Sequence, residues 1–237
     1  MNLAIIGYGK MGKMIEEIAI QRGHSIVAKW TSKDYWNASS LIDTQTEVAI
    51  EFTTPHAVVK NILTCFDANI PIVVGTTGWY AHLKEIEEIC LQKNQTLLYA
   101  SNFSIGVHLF FKISNYVASV MNSFTNYDVQ ITEVHHTQKK DAPSGTAISL
   151  AEQILKHYPQ KKQWALQKAP NTLHITAHRC NDEKGFHAIH YISDVDTIQL
   201  VHRAYSRKGF AMGAILAAEF IQNKKGIFQM KDVLNIP

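Results

Sequence analysis

The densest group of chemically active side chains lies between Glu133 and Thr146, in the run Glu-Val-His-His-Thr-Gln-Lys-Lys-Asp-Ala-Pro-Ser-Gly-Thr. An imidazole in a cleft donates a proton near neutral pH, and His135 and His136 both offer that group. Lys139 adds a positive charge nearby. These residue types predict general acid catalysis beside an anionic ligand.

A helix start follows in the same run. Pro143 sets up a turn, and Ser144, Gly145 and Thr146 open a helix whose first N–H groups have no partner within the helix. Together with the partial positive charge of the helix start, Lys139 and the histidines predict a socket for a carboxylate substrate. The alternative is an ordinary capped helix beside a surface lysine.

The sequence offers little that would bind a metal. Successive residues of a strand point to opposite faces, so His135 and His136 do not easily chelate one ion. Cys65, Cys90 and Cys180 lie far apart without C-x-x-C spacing, which disfavours both a zinc site and a disulfide framework. We therefore expect no metal and a reducing, cytoplasmic location.

A G-x-G-x-x-G motif stands between the first predicted strand and the first predicted helix. It comprises Gly7, Tyr8, Gly9, Lys10, Met11 and Gly12. The first glycine allows a tight turn, the second lets the backbone approach a pyrophosphate, and the third lets the helix lie close to the strand. Because the free N–H groups of the helix start face the anion, the motif predicts a dinucleotide site. The alternative is a structural glycine turn.

The residues after the second predicted strand bear on the choice of coenzyme. An Asp or Glu there would bind the ribose 2′-hydroxyl of NAD, but Thr31, Ser32 and Lys33 follow the strand instead. Two hydroxyls and a cation suit a 2′-phosphate, so we expect NADPH to be favoured, with NADH possible. The alternative is that Lys33 is a solvated surface charge.

Three more polar loops each follow a predicted strand. They are Thr53-Thr54-Pro55, Gly75-Thr76-Thr77-Gly78 and Ala100-Ser101-Asn102-Phe103. Ligands of open α/β sheets lie beyond the carboxyl ends of the strands. We expect these loops to line the cofactor cleft, although any one of them alone would be read as a plain turn.

Alternating strands and helices must bring these loops together. Short apolar runs separated by amphipathic helices indicate βαβ units and a parallel sheet. The expected strands are 3–6, 25–30, 48–52, 72–74 and 96–99, and the expected helical stripes are 11–19, 58–66 and 83–89. Pro55 suits the first position of its helix. The stretch 31–46 looks loosely structured.

The pattern changes after about residue 101. A long apolar helix over 105–121 is followed by strands without intervening helices, which indicates an α+β domain with a mixed or antiparallel sheet. The expected strands are 129–134, 173–179, 186–192 and 197–205, and the expected helices are 146–157 and 211–221.

Composition narrows the class of protein. Of the 237 residues, 46% are hydrophobic and 18% charged, which excludes a disordered chain and suggests that a subunit interface hides some surface. No apolar run approaches the ~18 residues of a membrane span, and no signal peptide is expected. The net charge of +3 is scattered, so we expect no nucleic-acid partner but allow a small anionic ligand.

These motifs together resemble the 4-hydroxy-tetrahydrodipicolinate reductase (dihydrodipicolinate reductase) family over nearly the whole chain. The resemblance rests on Glu51-Phe-Thr-Thr-Pro55, Val74-Gly-Thr-Thr-Gly78, Asn102-Phe-Ser-Ile-Gly-Val107, the segment from Glu133 to Thr146, and Arg207-Lys-Gly-Phe-Ala-Met-Gly-Ala214. The segment from Glu133 to Thr146 is the most specific of these.

The resemblance implies a Rossmann-type dinucleotide-binding domain over 1–103 and 208–237, and a substrate-binding and tetramerisation domain over 104–207. It implies hydride transfer from NADPH or NADH to a cyclic dicarboxylate in lysine biosynthesis, by a homotetramer. His135 would be the proton donor, and Lys139 the second acid or charge stabiliser. The implied carboxylate-binding residues are His136, Lys139, Gly145 and Thr146, and the implied nicotinamide-side residues are 75–77 and 100–103.

Two other functions fit part of the pattern. A different two-domain dehydrogenase would need another polar set in its second domain, and Cys180 has no partner motif for it. A cofactor-sensing binding protein would explain the glycine motif but would leave His135, His136 and Lys139 without a role.

Overall fold

The computed structural model describes residues 1–235, which form two compact units. The first unit comprises Met1–Ile105 and the chain from Arg207 onwards, and the second is Gly106–Ser206. Residues 236 and 237, which the predicted first domain includes, lie outside the described residues.

Strands and helices alternate in the first segment. Its elements are β1 (Asn2–Ile6), α1 (Lys10–Gln21), β2 (Ser25–Trp30), α2 (Ala38–Asp43), β3 (Val48–Glu51), α3 (Val58–Asp67), β4 (Ile72–Val74), α4 (Leu83–Gln92) and β5 (Thr96–Tyr99). A short 3-10 helix, Tyr80–His82, precedes α4.

The second unit comprises α5 (Ile105–Met121), β6 (Asp128–His135), α6 (Gly145–Leu155), β7 (Gln163–Ala165), β8 (Thr172–Arg179), β9 (Phe186–Ile192) and β10 (Thr197–Arg203). Its sheet has the order β10-β9-β6-β8-β7. Strand β9 runs antiparallel to both of its neighbours, while β6, β8 and β7 are parallel. The predicted mixed sheet is confirmed.

The chain then returns to the first unit through α7 (Lys208–Ile221), β11 (Gly226–Phe228) and α8 (Met230–Leu234). The six-stranded sheet has the order β11-β5-β4-β3-β1-β2, and all of its pairs are parallel. Alternate residues of β1 enter two cores: Leu3 and Ile5 pack with α1 and α7, and Ala4 and Ile6 pack with α3 and α4. A sheet covered on both faces explains the almost unbroken apolar strands.

Two local predictions are wrong. The stretch 31–46 is not loose throughout, because Asn37 and Ser40 form a capping box that starts α2, and Leu41 is fully buried. Pro55 is not the first residue of its helix, since a turn over Thr54 to Ala57 precedes α3. The short strands β7 and β11 were not predicted.

Among the described residues, no helix combines the length and the apolar character needed to cross a membrane.

Candidate functional site

A cavity of about 440 Å³ opens beyond the carboxyl ends of β1, β2 and β3 in the first unit. It is lined by Ile6, Gly7, Tyr8, Gly9, Trp30, Thr31, Ser32, Asp34, Tyr35, Trp36, Phe52, Thr53, Thr54, Ala57, Lys60, Asn61 and Thr64. The indole rings of Trp30 and Trp36 stack with 4.9 Å between centroids. This position is the one that ligands occupy in open α/β sheets.

The three glycines of the motif have distinct surroundings. Gly7 has a φ of +100°, and a Cβ there would lie 2.1 Å from the Phe52 carbonyl oxygen, so the tight turn requires glycine. A Cβ at Gly12 would lie 2.5 Å from the Gly7 oxygen, which makes Gly12 a packing residue. Nothing lies within 4 Å of a Cβ built at Gly9, so its backbone is open to a ligand.

The end of β2 differs from the sequence prediction. Asp34 lines the cavity, and its Oδ2 accepts hydrogen bonds from Thr31 N at 2.6 Å and Thr31 Oγ1 at 2.7 Å. These bonds lower the pKa of Asp34, so the carboxylate is ionised. Lys33 is exposed and is not one of the lining residues, whereas Lys60 of α3 is. A carboxylate, that of Asp34, is therefore present at the end of β2. It lies four residues after the last residue of the strand and is hydrogen-bonded back to Thr31.

A neighbouring cavity of about 510 Å³ lies between the glycine motif and the loops after β3 and β4. It is lined by Gly7, Gly9, Lys10, Met11, Phe52, Thr53, Pro55, Gly75, Thr76 and Thr77. The predicted residues Ala100, Ser101, Asn102 and Phe103 line neither cavity. Phe103 is buried in the core, and a Cβ at Gly213 would lie 1.8 Å from its carbonyl oxygen.

In the second unit, the end of β6 carries a buried carboxylate beside a histidine. Glu133 Oε2 pairs with Nδ1 of His135, and Glu133 Oε1 accepts from Arg179 Nη1 at 2.9 Å and from the Ser144 N–H at 3.3 Å. Burial raises the pKa of Glu133, but the bonds from His135 and Arg179 outweigh it, so the pKa lies below its usual value. Glu133 is therefore an ionised partner that orients the imidazole.

The other ring nitrogen of His135, Nε2, is left for a ligand. A Cβ at Gly185, where φ is +149°, would lie 3.5 Å from this nitrogen. Glycine therefore keeps one side of Nε2 free of a longer side chain. The His135 side chain is 12% exposed, so the ring is mostly buried but still reaches solvent.

The predicted helix start is close to the same group. Ser144 caps α6 by accepting from the Ala147 N–H at 3.2 Å, and its Oγ lies 3.1 Å from His187 Nε2. A Cβ at Gly145 would meet nothing within 4 Å, Gly145 is exposed and Thr146 is partly buried. Their N–H groups, at the start of α6, have no partner within the helix. Such a helix start binds anions.

The remaining predicted residues, His136 and Lys139, follow the end of β6. Lys139 is an ion-paired residue, with Nζ 2.8 Å from Asp141 Oδ2. His136 is partly buried, and its Nδ1 has no hydrogen-bond partner among the described residues. A carboxylate ligand can therefore compete with Asp141 for Lys139 and can accept from His136.

Glu133, His135 and His187 also hold potential metal-ligand atoms within 4.8 Å of one another. The Arg179 guanidinium already balances the Glu133 charge, and burial is the main cause that lowers the pKa of His187 to about 3. We interpret the group as a hydrogen-bonded cluster around Glu133, because His135 and Arg179 already engage its two carboxylate oxygens.

Glu133 was placed in the chemically active run of the sequence, but no site role was predicted for Glu133, Asp34, Arg179 or His187. Glu133 could have been found, because residues two apart on a strand share a face with His135. Arg179 pairs with His135 only through the register of β6 and β8, and His187 pairs with Glu133 only through β6 and β9.

Two family models match the chain. Residues 1–103 match dihydrodipicolinate reductase, N-terminus, and residues 106–234 match dihydrodipicolinate reductase, C-terminus.

Reductases of known sequence or structure are also similar to the chain. The 4-hydroxy-tetrahydrodipicolinate reductase of Christiangramia forsetii is 47% identical over 236 residues, covering 99% of this chain and 98% of the relative. That of Alkaliphilus oremlandii is 31% identical over 255 residues, covering 100% and 99%. The dipicolinate-bound dihydrodipicolinate reductase from Paenisporosarcina sp. TG-14 superposes with a TM-score of 0.82 at 25% identity, covering 100% of this chain and 99% of that one.

Proposed function

Because the chain belongs to the dihydrodipicolinate reductase family, we propose that it converts 4-hydroxy-tetrahydrodipicolinate to tetrahydrodipicolinate in the diaminopimelate route to lysine. The 4-hydroxyl group leaves as water, and the unsaturated imine that results is reduced with NADPH or NADH. It is an oxidoreductase. The observation that carries the mechanism is the Glu133–His135 pair beside the open start of α6.

The first unit holds the coenzyme in this proposal. Gly7, Gly9 and Lys10 would hold the pyrophosphate, the residues after β2 would bind the adenosine side, and the loop 75–77 would bind the nicotinamide side. The open backbone at Gly9 fits this assignment. Bound NAD(P)H supplies a hydride.

The chain's own acid is His135. Reduction of the ring leaves an electron-rich enamine that needs a proton, and Nε2 of His135 delivers it. The ionised Glu133 at Nδ1 stabilises the imidazolium that carries this proton and fixes the ring's orientation. General acid catalysis contributes roughly 10²- to 10⁴-fold.

The substrate's two carboxylates are oriented by fixed positive groups. Lys139 and His136 contact them from the loop after β6, and the N–H groups of Gly145 and Thr146 bind from the start of α6. Ser144 supports these N–H groups as the helix cap. Orientation of this kind lowers the barrier by holding the ring in a reactive geometry.

The homotetramer and the cytoplasmic location stay predictions. The exposed apolar side chains Ile192, Ile198 and Val201 on β9 and β10 suit a subunit interface. The three cysteines are free.

A coupled assay tests the function. The unstable substrate is generated in situ by the preceding condensing enzyme, and oxidation of NADPH is followed by absorbance. We expect oxidation that depends on this substrate. Oxidation with only an unrelated amino acid or aldehyde would favour another dehydrogenase, and coenzyme binding without any oxidation would favour a sensing protein.

A further inference from the structure

Glu51 is a buried carboxyl that the proposed function leaves without a role. It is the last residue of β3 and is 0% exposed. Burial raises its pKa, against hydrogen bonds from neighbouring hydroxyl and amide groups. Burying a carboxyl group lowers the stability of the fold unless hydrogen bonds compensate for the lost hydration.

Its hydrogen bonds lead to the loop after β3. Oε1 of Glu51 accepts from Thr53 N at 3.1 Å, from Asn61 Nδ2 at 3.3 Å, and from the Thr53 hydroxyl. Thr53 N also donates to Thr76 Oγ1 at 2.7 Å. One carboxyl oxygen thus ties the loop after β3, and through it the loop after β4.

The second loop has further anchors. Trp79, which is 1% exposed, donates its indole N–H to the Thr76 carbonyl at 2.9 Å. The Gly75 N–H donates to the Glu51 carbonyl at 2.9 Å. Gly75 and Thr76 line the cavity of about 510 Å³ and not that of about 440 Å³, Thr53 lines both, and Glu51 lines neither. Glu51 therefore reaches that cavity only through residues that it holds.

A purely structural role fits less well. Glu51 Oε2 has no hydrogen-bond partner among the described residues, so the carboxyl is incompletely satisfied. Where packing alone matters, a well-packed apolar side chain is often at least as stable as a buried charge.

We propose that Glu51 is a positioning residue of the coenzyme site, which through Thr53 sets Thr76 for the nicotinamide half of NAD(P)H. The proposal rests on the proposed function. It requires that loss of Glu51 weakens binding of the whole coenzyme more than binding of its adenosine half.

The test measures dissociation constants on the full chain by tryptophan fluorescence, for NADPH and for 2′,5′-ADP, which lacks the nicotinamide. Glu51→Met keeps the side-chain length but removes both oxygens, and we expect its Kd for NADPH to rise about tenfold, as for one or two lost hydrogen bonds. Its Kd for 2′,5′-ADP should stay within about twofold. Glu51→Gln retains an acceptor oxygen and should restore NADPH binding.

Thr96→Val is the matched control. Thr96 is buried in β5 of the same sheet, and its hydroxyl donates to the Lys224 carbonyl. Neither Thr96 nor Lys224 lines the two cavities. This variant should melt at a lower temperature with unchanged Kd values. If Glu51→Met does not fold, Glu51→Asp, which withdraws the carboxyl by one methylene, must show the same selective loss.

The proposal is overturned if the folded Glu51 variant binds NADPH like the wild type, or if NADPH and 2′,5′-ADP weaken equally. A wild-type chain that binds neither NADPH nor NADH would instead contradict the proposed function. The KM for NADPH should rise in Glu51→Met while kcat is largely kept.

Discussion

Two charged groups of the candidate site, His135 and Asp34, are held by partners close in sequence. Glu133 holds His135, and Thr31 holds Asp34 through its N–H and its hydroxyl. Each pair is local in sequence, so its contacts form with the strand end itself. At the residue scale, these short-range contacts orient His135 and Asp34, while Arg179 reaches Glu133 from a different strand.

Asp34 should set the choice between the two coenzymes. Its ionised carboxylate repels a 2′-phosphate and accepts from a 2′-hydroxyl, and two exposed charges a few Å apart interact by about 1 kcal/mol. We expect Asp34→Asn to lower the ratio of the NADPH Kd to the NADH Kd about five- to tenfold. Fluorescence titration of both coenzymes measures this ratio.

Two lysine variants serve as its controls. Lys33→Ala should leave the ratio unchanged, because Lys33 does not line the cavity, whereas Lys60→Ala should raise it. If Lys33→Ala alone lost NADPH binding, Lys33 would be the residue that binds the 2′-phosphate, as expected from the sequence.

Residue types were enough to predict a histidine acid, a lysine and an accessible helix start. Their partners could not all be predicted. Arg179 and His187 join the group through strand pairing, which a single sequence does not specify. The carboxylate of Asp34 was missed because Asp34 is not the residue directly after β2. A local turn, closed by the hydrogen bond from Thr31 N to Asp34 Oδ2, brings it to the end of the strand.

At the scale of elements, two helix caps allow an effect on stability to be distinguished from an effect on catalysis. Ser144 caps α6 in the candidate substrate site, and Asn37 caps α2 by accepting from Ser40 N at 3.1 Å. Asn37→Ala should lower the free energy of unfolding by about 1 kcal/mol with kcat/KM unchanged. Ser144→Ala should lower both, since it also removes the hydroxyl beside His187.

Chemical denaturation and steady-state kinetics on both variants measure these effects. Equal kinetic parameters in Ser144→Ala and the wild type would contradict the role given to the start of α6.

Element prediction succeeded where apolar periodicity was strong. Ile105–Met121 and Phe186–Ile192 have the predicted bounds. The helix Ala38–Asp43 was missed because a single buried apolar residue, Leu41, and a polar capping box give no periodic stripe. The strands Gln163–Ala165 and Gly226–Phe228 have three residues each and, unlike Ile72–Val74, each begins with a residue that is neither β-branched nor aliphatic, so no continuous apolar run marks them.

For the whole molecule, the buried His187 makes stability depend on pH. Burial, followed by the charge of His135, lowers its pKa to about 3, while Glu133 acts in the opposite direction and His202 and Lys139 add to the lowering. The unfolded chain takes up this proton near the ordinary value of 6.5, and the folded chain refuses it until about pH 3. The free energy of unfolding therefore falls as the pH drops through this window, by up to about 5 kcal/mol.

His187→Asn should remove most of that slope. Urea unfolding at several pH values between about 7.5 and 4.5 measures it. His178→Asn, at an exposed position on β8, is the control and should keep the wild-type slope. A His187→Asn variant with the full slope would show that other groups cause the acid sensitivity.

The fold class was accessible from the sequence because alternation of strands and helices implies a parallel sheet, and grouped strands imply a mixed one. The order β11-β5-β4-β3-β1-β2 was not accessible, since the edge strand β11 arrives after the second unit. Strand order depends on packing across the whole chain.

The central claim, that His135 is the acid of the reaction, is tested most directly by the turnover of His135→Gln. Glutamine can still donate to Glu133, so the cluster keeps its shape while the acid is lost. We predict a kcat about 10²- to 10⁴-fold lower, with the Kd for NADPH within twofold of wild type. A kcat close to the wild-type value in a folded, coenzyme-binding variant would contradict the account.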